Sequence, residues 1–151
     1  MNITSVDMTE ITNSTIKALK SSNLIPVKTS ITTYPLLPGI ADHNLMLQVF
    51  GNLISNAVKY SSKTAQPVIE IGSKIEKDAV VYFVKDNGAG FDMSLSSKLF
   101  RPFQRLHKRS DYEGTGVGLA LSYVIVTKHG GEMWADAKVG EGATFYFRLP
   151  N

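Results

Sequence analysis

The stretch Asn52-Leu-Ile-Ser-Asn56-Ala-Val-Lys59-Tyr60 closes a helical pattern that opens at Asn44, and the rest of the chain is arranged around it. Leu45, Val49, Leu53 and Ala57 recur at helical spacing, with Met46, Phe50 and Ile54 beside them. The spacing predicts a helix over Asn44–Tyr60 with one broad apolar face. Gln48, Asn52, Asn56 and Lys59 fall at i, i+4, i+8 and i+11 and form a narrow polar stripe. Asn52, Asn56 and Lys59 bring carboxamides and an ammonium but no carboxylate. Neutral amide oxygens suit a hard cation such as Mg²⁺ when triphosphate oxygens supply the countercharge. The plainer reading is a solvent face that happens to hold two asparagines. Asn is a poor helix former, and two of them one turn apart weigh against that reading.

Upstream, Met1–Ser5 reads as residual linker, so the domain is expected to run from Val6 to Asn151. Asp7 and Glu10 have capping-box spacing, with Val6 and Ile11 placed as a hydrophobic staple, and a helix from about Met8 to Lys20 follows. That start signal implies a helix that begins inside the domain. Val27–Thr33 reads as a strand, Tyr34–Gly39 as a turn, and a short strand around Ile40 precedes Asp42, the expected cap of the central helix. Downstream, Ser61–Gln66 is a loop, and Val68–Ile75 and Ala79–Lys85 alternate as a hairpin. Leu95–Phe103 reads as a short helix and Gln104–Glu113 as a charged segment. A second helix opens at Gly114 and runs to about Lys128, and Glu132–Ala137 with Ala143–Leu149 close the chain as another hairpin. Helices mixed with hairpin-joined strands predict an α+β fold, a two-layer sandwich.

Two glycine segments leave these elements. Asp86-Asn87-Gly88-Ala89-Gly90 ends an apolar strand. Asn-Gly is an ordinary hairpin signal, but a hairpin needs neither the second glycine nor the strand-end carboxylate. Asp86 is suited to accept a hydrogen bond from an exocyclic amine such as adenine N6, and the glycines to let backbone pass a flat ring. Gly114-Thr115-Gly116-Val117-Gly118-Leu119 at a helix start suits phosphate, because free N–H groups and the positive dipole end converge there. Its spacing is not that of a dinucleotide fold, and no P-loop occurs. Phe100-Arg-Pro-Phe103 between the two segments reads either as a lid anchor or as core aromatics. Arg105, Lys108 and Arg109 read as a solvated face, and Trp134 as core. His43, His107 and His129 show no metal spacing.

With 151 residues, 43% hydrophobic residues and a net charge of +3, the chain is one globular domain with too little basic excess to argue for nucleic acid. It has no cysteine, so disulfides and thiolate metal sites are excluded, as fits a reducing compartment. No apolar run approaches a membrane span.

In this order the segments resemble the ATP-binding catalytic domain of sensor histidine kinases, within the larger family that includes gyrase, the Hsp90 chaperones and MutL. Asn52–Tyr60 is similar to the family's N box, Asp86–Gly90 to G1, Phe100–Phe103 to the F box, Gly114–Leu119 to G2, and Gly142-Ala143-Thr144 to the last glycine motif. The resemblance implies a Bergerat-type fold with a mixed, mostly antiparallel sheet and helices on one face. It implies ATP and Mg²⁺ as ligands, with Asn56 on the metal, assisted by Asn52, Lys59 on a phosphate and Tyr60 against adenine. Asp86 would bind adenine N6 with Thr144 near the same edge. Gly88, Gly90, Phe100, Phe103, Gly114, Thr115, Gly116, Val117, Gly118 and Leu119 would complete the nucleotide site. Residues 104–113 are similar to the short lids of phytochrome-type kinases.

Gyrase-like ATPases keep a Glu one turn before the metal-binding Asn, where it activates water; Asn52 stands there and cannot act as a base. None of the histidines lies in an acceptor helix. The implied partners are therefore a separate histidine-bearing dimerisation domain and, downstream, a response regulator receiver domain. Neither nucleic acid nor a membrane is implied, and the isolated domain is expected to be monomeric and cytoplasmic. Rival readings are an anti-sigma-factor-like serine kinase and a non-catalytic nucleotide-binding module.

Overall fold

The computed structural model describes residues 1–100 and 118–151. Its centre is α2 (His43–Ser61), one residue longer at each end than the apolar spacing predicts. The Asp42 carboxylate caps it by accepting from Leu45 N–H at 3.0 Å, which satisfies one of the donors a helix start leaves open. Met46, Val49, Phe50, Leu53, Ile54, Ala57 and Val58 are buried, as the broad apolar face requires.

The chain reaches α2 through β1 (Ile3–Val6), α1 (Met8–Ser21), β2 (Ser30–Thr33) and β3 (Gly39–Asp42). Asp7 caps α1 by accepting from Glu10 N–H at 3.1 Å, and Val6 and Ile11 on either side of it are both buried. α1 ends in a Schellman arrangement: Leu24 N–H reaches Leu19 C=O and Asn23 N–H reaches Lys20 C=O, with Asn23 left-handed at φ 58°. Two expectations are corrected here. Ile3–Val6, part of which reads as linker, pairs antiparallel with β3. The strand expected from Val27 begins only at Ser30, because Pro26 starts a turn closed by Thr29 N–H on Pro26 C=O.

After α2 come β4 (Val68–Glu76), β5 (Ala79–Asp86), a 3₁₀ turn (Met93–Lys98), α3 (Gly118–Lys128), β6 (Glu132–Lys138) and β7 (Gly142–Pro150). The 3₁₀ turn covers the first part of the short helix expected over Leu95–Phe103, whose last three residues lie outside the described residues, and it is opened by the Asp92 carboxylate on Ser94 N–H at 2.9 Å. The main sheet has the order β2-β4-β5-β7-β6; β2 runs parallel to β4 and every other neighbouring pair is antiparallel.

One face of this sheet carries Ile69, Ile71, Val80, Tyr82, Val84, Phe145, Phe147 and Leu149 into a core shared with α1, α2 and α3. Phe50 meets Tyr82 and Phe147 edge-on at 6.1 and 5.3 Å, and those two rings stack at 5.0 Å. The Tyr82 hydroxyl, buried with its ring, donates to Leu37 C=O at 2.8 Å. Tyr82→Phe is expected to cost about 1–2 kcal/mol in urea unfolding, the price of leaving that carbonyl without a partner. The opposite sheet face bears a cross-strand row of Phe83, Tyr146 and Trp134, with Trp134 stacked on Tyr146 at 5.4 Å. Trp134 is therefore not core. Met133 and Ala135 take the inward positions of β6.

Candidate functional site

Strand alternation sends the last residue of β5 inward, so the Asp86 side chain lies on the helix-bearing face, 3% exposed. Asn56 and Tyr60, one turn apart at the end of α2, border a small hollow with Asp86, Gly90, Phe91, Ala143 and Phe145. Asn56, Tyr60 and Asp86, predicted separately from two segments, thus meet at one place. Lys59 sits beside them with its Nζ 5.3 Å from the Tyr60 ring centroid, over the ring face. A wider hollow of about 610 Å³ lies among β4, β5, β6 and β7; of the sequence-predicted residues only Asp86, Thr144 and no helix residue border it. The smaller hollow is the one that joins the chemistry.

Burial pushes the Asp86 carboxyl up to about 6, against the opposing pull of hydrogen bonds from the Gly88 and Ala143 N–H groups. The Gly88 N–H bond is 2.8 Å long. A carboxylate held this way keeps lone pairs for an amine donor entering the hollow. The two glycines have a cause the sequence does not show. A Cβ at Gly88 would collide with the Tyr60 carbonyl, and one at Gly90 with the Lys138 carbonyl. Gly90 also has φ +64°. The loop is threaded between the end of α2, where Ala89 N–H bonds Tyr60 C=O at 3.0 Å, and the β6–β7 turn, where Gly140 N–H bonds Ala89 C=O at 2.7 Å. The close approach is to the protein's own backbone, and it fixes Asp86 relative to Tyr60.

Asn52 does something different from Asn56. Its Nδ2 donates to Gly118 C=O at 3.2 Å and to Ser122 Oγ at 3.1 Å, joining α2 to the first turn of α3. The Asn56 carboxamide has no hydrogen-bond partner among the described residues and lines the hollow. Among the described residues no group of three or more His, Cys, Asp or Glu could hold a metal. The donor set on offer for Mg²⁺ is thus carboxamide oxygen, which fits a cation arriving with phosphate oxygens.

Residues 41–151 match the family described as Histidine kinase-, DNA gyrase B-, and HSP90-like ATPase. The chain belongs to this family. The histidine kinase-like domain is 41% identical over 145 residues to Cyanobacterial phytochrome A of Nostoc sp., covering 95% of the chain and 19% of that protein. It is 43% identical over 111 residues to Phytochrome-like protein Cph1 of Synechocystis sp., covering 74% and 15%. Sensor histidine kinase WalK of Bacillus subtilis is 38% identical, with 72% and 18% covered. The chain spans less than a fifth of the length of each of these relatives. Among solved structures, the nucleotide-free catalytic domain of histidine kinase ThkA has a TM-score of 0.79 at 24% identity, covering 99% of this chain and 96% of that one. Full-length ShkA in complex with AMPPNP has a TM-score of 0.82 at 22% identity, covering 99% and 31%. These two share the fold, and ThkA is a histidine kinase.

Within the histidine kinase-like domain, one predicted site residue faces the wrong way. Thr144 pairs across the sheet with Lys85 on one side and Asp136 on the other, so its side chain lies on the face away from Asp86. Ala143 is the residue opposite Asp86. Ala143, named only as part of a glycine motif, and Phe91 and Phe145 carry no site role in the sequence reading; the one available signal is the β5–β7 register, which needs the pairing to be known. Phe100 is half-buried and stacks on Tyr123 of α3 at 5.2 Å and 14°, while Leu119 packs against the core. Phe103, the lid segment 104–113, and Gly114, Thr115, Gly116 and Val117 lie outside the described residues.

Proposed function

We propose that the chain binds Mg²⁺·ATP and donates the γ-phosphoryl group to a histidine on a separate dimerisation and acceptor domain, as part of two-component signalling. The observation that carries this reading is the convergence of Asn56, Tyr60 and Asp86 on one hollow. Asp86 would accept from adenine N6 and Tyr60 would flank the base. The Asn56 oxygen, with Asn52 assisting, would hold Mg²⁺ against the phosphates, and Lys59 would neutralise a phosphate oxygen. The bound metal supplies charge neutralisation of the triphosphate. The protein's own part is to orient the γ-phosphoryl toward an incoming imidazole, whose unprotonated nitrogen forms the new bond to phosphorus while ADP leaves.

No described helix is long and apolar enough to cross a membrane. A cytoplasmic domain acting on a partner domain, with a response regulator downstream, is the setting that accords with this reading.

The test mixes the chain and γ-labelled ATP with a separately purified histidine-bearing hairpin domain of a phytochrome-type kinase. Acid-labile, base-stable label is expected on the hairpin and none on the chain alone. Label on serine would move the assignment to an anti-sigma-factor-like kinase, and binding without any transfer would leave a nucleotide-binding module.

A further inference from the structure

Resting on the proposed Mg²⁺·ATP site, we infer that Ser122 is a positioning residue: as the second anchor beside the Gly118 carbonyl, it holds the Asn52 carboxamide still with its oxygen as the end offered to the metal. The buried serine and threonine hydroxyls among the described residues fall into two kinds. Thr12, Thr15 and Ser61 each donate back to their own helix, to the carbonyls of Thr9, Ile11 and Ala57 at 3.0, 2.8 and 2.7 Å. Ser122, 0% exposed on α3, instead receives a hydrogen bond from a side chain of another helix, the Nδ2 of Asn52. It interrupts an otherwise apolar run, Leu119-Ala-Leu-Ser122-Tyr-Val-Ile-Val126.

An amide nitrogen carries two hydrogens, and here the Gly118 carbonyl and the Ser122 hydroxyl take one each. The Gly118 carbonyl can only accept, so the end of the amide facing it must be the nitrogen; turned over, the amide would set oxygen against oxygen. With both hydrogens used, Oδ1 is the remaining atom able to bind anything. A carbonyl oxygen is what a hard cation requires, and the nitrogen end could not serve. Removing Ser122 Oγ leaves one anchor of two and frees the amide to rotate. The same clasp ties the first residue of α3, which ends the predicted phosphate-binding glycine segment, to the helix that carries Asn56. Holding the ligand oxygen in advance spares the entropy of ordering it when ATP binds.

The experiment compares the whole chain with Ser122→Ala and Ser122→Thr. By titration calorimetry, Ser122→Ala is expected to weaken Mg²⁺·ATP binding about three- to tenfold and to leave metal-free ADP unchanged, with Ser122→Thr restoring the affinity. In ¹⁵N-labelled protein without nucleotide, the two Asn52 Nδ2 protons should be shifted from free-amide positions and slow to exchange with solvent in wild type, and should move toward free-amide positions with faster exchange in Ser122→Ala. Should Ser122→Ala fail to fold, Ser122→Cys, of similar volume and a weaker acceptor, is read in the same way. Equal weakening for both nucleotides, or loss of melting temperature alone, would show a helix clasp with no bearing on the metal and overturn the inference. Wild-type protein that binds no Mg²⁺·ATP would instead overturn the functional reading, while the amide signals would still report whether the clasp exists.

Discussion

Asp86→Ala is expected to weaken ATP binding about ten- to a hundredfold and to erase the preference for ATP over GTP, because it removes a buried charged acceptor worth about 1.5–3 kcal/mol. The loss should not come from unfolding. Burial holds the Asp86 carboxyl up at about 6, above its ordinary 3.8, so ionising it in the unliganded protein opposes folding. The sign follows from the raised value. The native state holds this proton more tightly than the unfolded chain, so its contribution is fully present below about 3.8 and lost as pH rises through about 6. Each pH unit between those values is worth about 1.4 kcal/mol. Asp86→Asn should therefore raise the melting temperature at pH 7 and flatten its pH dependence between 4 and 6.

Asp42 and Asp92 act in another window. Hydrogen bonds from Asn2 and Leu45 hold Asp42 below 3.8, and bonds from Ser94 do the same for Asp92, so their contributions disappear only as pH falls below that value. Adenine N6 favours the ionised form of Asp86, so base binding should weaken below about pH 6 by at most about tenfold per unit. Adenosine is the probe to use, because a terminal phosphate titrates near the same pH. Unchanged affinity in both Asp86 variants, for ATP and for GTP, would remove Asp86 from the base site.

What could be read in the sequence is what is decided within a few residues. Asp7 and Asp42 announce the starts of α1 and α2 because each bonds an N–H three residues on. The apolar face of α2 is legible because its period needs no partner. β1 was missed because it shows a burial pattern of three exposed residues and one buried, and its pairing partner Gly39–Asp42 lies a helix and a strand away. Trp134 and Thr144 show a different limit. Alternation gives two faces to a strand but does not say which one meets the helices; in β6 and β7 that is settled by Phe147 packing on Phe50. At the site, Asp86 and Asn56 were visible from residue type and position. Gly88 and Gly90 were visible too, but their cause, collision with the Tyr60 and Lys138 carbonyls, exists only in three dimensions. Asn52 was read as a helper on the metal. That its nitrogen is committed to α3 depends on Ser122, 70 residues further along.

That commitment bears on hydrolysis. The chain alone is expected to release phosphate from Mg²⁺·ATP at least about a hundredfold more slowly than it transfers phosphoryl to an acceptor histidine, since a positioned general base is typically worth about 10²–10⁴-fold and none stands at Asn52. An amide has no basic nitrogen to offer water, and here the nitrogen is doubly occupied by Gly118 C=O and Ser122 Oγ. The acceptor imidazole needs no such base, because its free nitrogen carries a lone pair at neutral pH.

Substitution sharpens the comparison. Asn52→Glu places a carboxylate where hydrolytic members of the family keep one, but in this chain it would face the Gly118 carbonyl, acceptor against acceptor. The expected result is a lower melting temperature with no gain in phosphate release. Asn52→Glu with Ser122→Ala would leave the clash with the Gly118 carbonyl in place, since Gly118 contributes backbone. Phosphate release is followed with a coupled assay on the wild type and both variants, with and without the acceptor hairpin. Brisk acceptor-independent release by the wild type would show that some other group activates water, and the assignment of this domain to transfer over hydrolysis would then fail.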